Sequence, residues 1–115
     1  MPEQRTPAPG WEGLPSPDEP GWAGWCRHWL AVHSPVGLTR QVAAGHLSAR
    51  SHGRMLWRHL TERRLLLEEQ LVQEQTDGIT GRQLQARAEG AVEELAEACE
   101  ILRVLELIGP HLPGR

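Results

Sequence analysis

Between residues 84 and 105 the apolar side chains Leu84, Ala88, Ala91, Leu95, Ala98, Leu102 and Leu105 recur in alternating steps of four and three. Those steps hold side chains on one stripe of an α-helix, the seam by which it packs at a shallow angle on another helix. Three of the seven residues are alanine, so the partner can approach closely. A helix of this kind needs a second one, and the chain supplies it upstream. Val42, Ala49, Leu56, Leu60, Leu67 and Leu71 make another stripe between Leu38 and Gln75. Read as continuous, that helix would run about 57 Å at 1.5 Å per residue. Serines and Gly53 in "LSARSHGR" predict a kink or break near 48–53.

The two stripes are separated by "QTDGITGRQLQ". Asp77-Gly78 is a turn dipeptide, and Thr80 with Gln83 has the spacing of a capping box, in which each side chain satisfies the other's backbone amide. Ile79 and Leu84 stand where a hydrophobic staple belongs. A helix is therefore expected over about 81–108, stopped by glycine and proline in "LIGPHLPGR". Two long amphipathic helices joined by a tight turn give an antiparallel hairpin.

The chain has five tryptophans and neither phenylalanine nor tyrosine. Three of the five fall in "GWAGWCRHWL", where Trp22, Trp25 and Trp29 share a helical face that Cys26 and Leu30 widen. The expected helix runs over about 19–33 and ends at "HSPVG". Downstream, "ILRVLELI" is apolar around most of its circumference, and one partner helix cannot bury it on all sides. The tryptophan face is the natural cover, laid over residues 38–47 and 101–108. The same tryptophans, with Trp57 off the main stripe of its helix, are also candidate partner-binding residues, because tryptophan is enriched at binding hot spots.

Six prolines in the first twenty residues leave little to bury. The expected organisation is a disordered arm over 1–20, anchored at most by Trp11 and Leu14, one helical domain over 21–109, and a flexible tail over 110–115. Nothing approaches the ~18 apolar residues of a membrane span. The opening residues lack a basic start and an apolar signal core, so a cytoplasmic location is expected.

All twelve basic residues are arginine, and the net charge is −3. Residues 40–64 carry six arginines against Glu62, whereas residues 65–106 carry ten acids against three arginines. In a hairpin centred on residues 77–78, Arg58 would face the neighbourhood of Glu97, Arg54 that of Glu100, and Arg63 that of Glu93. Nucleic acid gives a second account: Arg50, Arg54 and Arg58 form an i, i+4, i+8 stripe, with Arg40 nearby, that could follow phosphates. "LTRQVAAGHLSARSHGRML" resembles a helix-turn-helix rhythm, although Arg54 falls where the second helix should be apolar and the usual turn glycine is absent.

Catalytic patterns are thin. "EELAE" at 93–97 is similar to the EExxE motif of all-α nucleotide pyrophosphohydrolases of the MazG kind, which implies magnesium held by carboxylates on adjacent helical turns. That family's second, ExxD-type acidic pair is missing, and no aspartate follows Asp77. No two of the six histidines stand at i, i+4, and the two cysteines lie far apart, as reduced thiols would. The reading is an all-α chain, a short Trp-rich helix plus a long antiparallel hairpin, dimerising or assembling further into a coiled-coil-like bundle. Its expected role is a non-enzymatic adaptor, chaperone-like or regulatory module without cofactor or metal. A small DNA-binding regulator is the alternative, and a magnesium-dependent pyrophosphohydrolase the remote one.

Overall fold

The computed structural model describes residues 11–76 and 82–114, and these are all-α. Helix α1 spans Trp22–His33, α2 Val36–Ala44, α3 Ala49–Thr76 and α4 Arg82–Ile108, followed by a 3₁₀ turn over Gly109–His111. Helices α3 and α4 pack on each other as the expected hairpin. The capping box at Thr80 and the staple residue Ile79 lie outside the described residues, as do Met1–Gly10.

The stretch read as one helix from 38 to 75 is two helices, broken at 45–48 rather than inside 48–53. The break is a Schellman closure: the Leu47 amide donates to the Val42 carbonyl at 3.0 Å and the His46 amide to that of Ala43 at 3.3 Å. His46 takes the left-handed conformation this requires, at φ 49°, although glycine occupies the position before it. Ser48 then caps α3, its hydroxyl accepting from the Ser51 amide at 3.1 Å. Gly53, expected to weaken the helix, lies within α3. A Cβ there would stand 2.5 Å from the Leu112 Cδ1, so its missing side chain makes room for the C-terminal segment.

That segment differs from the expected flexible tail. Leu112 is buried, the Arg50 amide donates to the Pro113 carbonyl, and the Arg50 guanidinium donates to the Leu112 carbonyl. The N-terminal arm is likewise anchored where it is described, with Trp11 and Leu14 packed against the core. The first and last described segments, around Trp11–Leu14 and Leu112–Pro113, are held at one end of the hairpin. There Trp22, Cys26 and Leu30 of α1 meet Leu56 and Leu60 of α3, and Leu102, Leu105 and Ile108 of α4. Helix α2 contributes nothing to this cluster, so the cover lies over 101–108 and not over 38–47. On the α4 seam, Ala91, Ala98, Leu102 and Leu105 are buried and Ala88 and Leu95 half-buried, while the Leu84 side chain lies outside the described set.

The anticipated charge register is met at one place: Arg63 donates to Glu94 at 2.6 Å. Glu100 pairs with Arg103 on its own helix instead of with Arg54. Among the described residues Arg54 and Arg58 make no ion pair. They stand about 160–200° around α3 from Leu56, at 100° per residue, on the side opposite the inner stripe.

Candidate functional site

Two surfaces compete, and the tryptophan row comes first. Trp22 stacks on Trp25 at 5.4 Å between ring centroids and Trp25 on Trp29 at 6.3 Å; Trp11 and His111 extend the row at one end and His33 at the other. Trp22 is closed to any partner: it is buried, and its indole Nε1 donates to the His111 carbonyl at 2.8 Å. Trp25 and Trp29 are half-buried against the core. The row packs into or against the core cluster shared by α3 and the apolar end of α4, a fully buried tryptophan removing on the order of 200 Å² from water. Of the four tryptophans singled out as partner-binding, Trp57 is the most open, at 47 % exposure.

Trp57 belongs to the second surface, the outer face of α3. Leu56, Leu60 and Leu67 turn inwards. Opposite them run Arg54, Arg58, Thr61, Leu65, Glu68 and Val72, in steps of four, three, four, three and four. Thr61 is half-buried and the other five are exposed. Leu65 and Val72 are open to 56 % and 61 %, large apolar groups on a helix that already has an inner stripe. Arg54 stands between two open grooves. One, of about 390 Å³, is walled by Trp57, Gly109 and Pro110, and the other, of about 310 Å³, by Leu38, Gln41 and Met55. This outer stripe was missed from the sequence because arginine, threonine and glutamate break its apolar signal; its 4-3 spacing was there to be read.

Of the candidate DNA residues, Arg54 lines one groove with Arg50 and another with Arg58. Arg40 is exposed on α2, and Arg54 and Arg58 on α3, while Arg50 is engaged by the C-terminal segment.

Inside, two titratable groups are structural. Ser34 donates its hydroxyl to the Leu30 carbonyl, so His52 Nε2, 2.8 Å away, must donate to Ser34 Oγ. That fixes the neutral tautomer, and burial followed by the Arg27 charge holds the His52 pKa below its ordinary value. Burial also pushes the Cys26 thiol up to about 11, which makes it inert packing rather than a nucleophile.

The EExxE carboxylates Glu93, Glu94 and Glu97 are exposed, with Glu94 committed to Arg63. Among the described residues no three His, Cys, Asp or Glu side chains are grouped closely enough to hold a metal ion, and no helix is long and apolar enough to cross a membrane.

No protein-family model, curated protein or solved structure matches this chain.

Proposed function

We propose that the chain is a non-enzymatic helical interaction module, an adaptor or regulatory subunit in kind, that binds a protein partner along the outer face of α3. The observation that carries this reading is the exposure of Trp57, Leu65 and Val72 on one side of one helix. Single exposed apolar residues are ordinary, whereas several sharing a face mark a docking surface. An aromatic anchor with apolar neighbours inside a polar rim, arginine included, is the usual make-up of such a surface.

DNA binding is the second reading, favoured by the α2–turn–α3 succession and the exposed Arg40, Arg54 and Arg58. Its weakness is also structural. A reading helix presents its first turns to the bases, but here residues 112 and 113 hold Arg50, and Leu112 fills the space at Gly53.

Affinity capture with and without nuclease separates the two. Capture of a protein, or of the chain itself, should survive nuclease and fall by at least about tenfold in a Trp57→Ala/Leu65→Ala variant, the scale of lost hot-spot contacts. Retention that vanished with nuclease and depended on Arg54 and Arg58 would replace the module reading with DNA binding. Capture indifferent to both treatments would remove the α3 face from the account.

A further inference from the structure

We propose that the occupant of the α3 outer face is a second copy of the chain, lying antiparallel across a two-fold axis at residue 63. This rests on the α3 reading above and names its partner.

The argument starts from the six outer positions. Arg54, Thr61 and Glu68 are one set of seam positions at seven-residue spacing, and Arg58, Leu65 and Val72 the other. When two identical helices run antiparallel, members of one set face members of the other. About an axis at 63 the facing pairs are Arg54 with Val72, Arg58 with Glu68, and Thr61 with Leu65. Each pair occurs twice, as a two-fold interface requires.

Every position finds a compatible partner. Arg58 meets Glu68 of the second copy, and Leu65 meets the methyl side of Thr61. Val72 meets the aliphatic stem of Arg54, the part of an arginine that packs on apolar surface. On one flank Trp57 comes opposite the Leu71 region of the second copy, so its exposed ring gains an apolar neighbour.

Charge distribution along α3 gives the independent support. From Arg50 to Arg58 the helix holds three arginines and no acid; from Glu62 to Glu69 it holds three glutamates and two arginines, of which Arg63 is bound to Glu94 and Arg64 stands 3.8 Å from Glu68, an exposed pair that Arg58 of the second copy would join. Antiparallel pairing sets the basic half of each helix against the acidic half of the other. Of the two arginines that the hairpin leaves without an ion pair among the described residues, Arg58 is thereby met by an acid, while Arg54 packs its stem on Val72. The grooves on either side of Arg54 leave the approach open between α2 and the terminal 3₁₀ turn. One feature opposes the pairing: the axis brings Glu62 towards its own copy on one flank and Arg64 towards its own copy on the other. Both lie at the rim, where repulsion is weak and screened by salt.

Sedimentation of the full chain over a concentration series tests this. Wild type should form a dimer that weakens as salt rises. Arg58→Glu and Glu68→Arg should each weaken dimerisation by at least about tenfold, since each creates two like-charge contacts. The double reversal should return it to within about threefold of wild type, as coupled partners do. Glu62→Gln should tighten it. All these side chains are exposed, so the variants should stay helical, which circular dichroism checks. A chain monomeric at every concentration, or a double variant no better than either single one, overturns the self-pairing. The module reading fails on a different result, nuclease-resistant capture that ignores Trp57 and Leu65, so the two failures cannot be confused.

Discussion

Leu56 and Leu65 stand nine residues apart on α3, yet the first is fully buried and the second is 56 % exposed. The contrast holds for the two ends of the hairpin. At one end, α1, the Trp11–Leu14 segment and the 3₁₀ turn close over α3 and α4, and Ile108 has no exposure at all. Towards the turn end nothing among the described residues covers the outer side of either helix, and Leu66, Val72 and Val92 stand open. The molecule measures 60 × 40 × 18 Å, a flat body. Identical chemistry is thus buried where a third element covers it and left open where none does, on the face we propose for recognition.

The sharpest way to break this comparison is to cut equal side chains at the two ends. Ile108→Ala should cost about 2–5 kcal/mol, as core truncations do. Leu66→Ala should cost less than about 0.5 kcal/mol, as exposed substitutions do. Urea unfolding measures both; comparable losses would mean that the turn end is as closed as the base. Trp22→Phe comes next. It keeps an aromatic ring but strips the donor from the His111 carbonyl, and should cost about 1–3 kcal/mol and loosen the C-terminal segment.

Much of this division was legible beforehand, and the reasons differ by element. The α4 seam and the inner stripe of α3 were readable because periodicity in aliphatic residues survives without context. Trp22, Cys26 and Leu30 were placed on one face by the same logic, and the need of 101–108 for cover pointed to them. The break at 45–48 was displaced in the reading because Gly53 looked like the breaker. In fact glycine is there for Leu112, fifty-nine residues away in sequence. His46 hid the true break, since its type gives no warning of a left-handed residue. The tail appeared unstructured for a related reason: Leu112 is one apolar residue among prolines and glycine, and only the hole at Gly53 gives it a seat. Of the site, Trp57 was visible as a residue off the main stripe. Its companions Leu65 and Val72 were not, because mixed charges interrupt their spacing. Arg54 and Arg58 were assigned to the hairpin by counting along the chain, which cannot say which side of a helix a residue faces.

Acid sharpens the comparison further. His52 binds protons less readily folded than unfolded, because burial and then Arg27 disfavour its charge; His33 is shifted the same way by burial, with Glu97 opposing. The unfolded chain therefore takes up more protons, and stability should be full above the ordinary histidine value of 6.5 and fall as pH drops through it. Thermal melts between pH 8 and about pH 5, the span in which histidine titrates, should show this slope, and His52→Gln should flatten it. An unchanged slope would place the acid sensitivity elsewhere than the base. A small gain in stability is expected at the helix break. His46→Gly should stabilise the chain by about 0.5–1 kcal/mol, because glycine takes a positive φ without strain. Destabilisation there would mean that the imidazole makes a contact worth more than the strain.

Hydrogen exchange of the full chain, followed by mass spectrometry at low and at high protein concentration, tests the division most directly. The account predicts that amides in the base, around 52–60 and 98–108, are strongly protected at both concentrations. Those around 61–72 should be weakly protected when dilute and gain protection when concentrated. Equal protection along the whole of α3, independent of concentration, would contradict the claim that one end of the hairpin is built to fold and the other to bind.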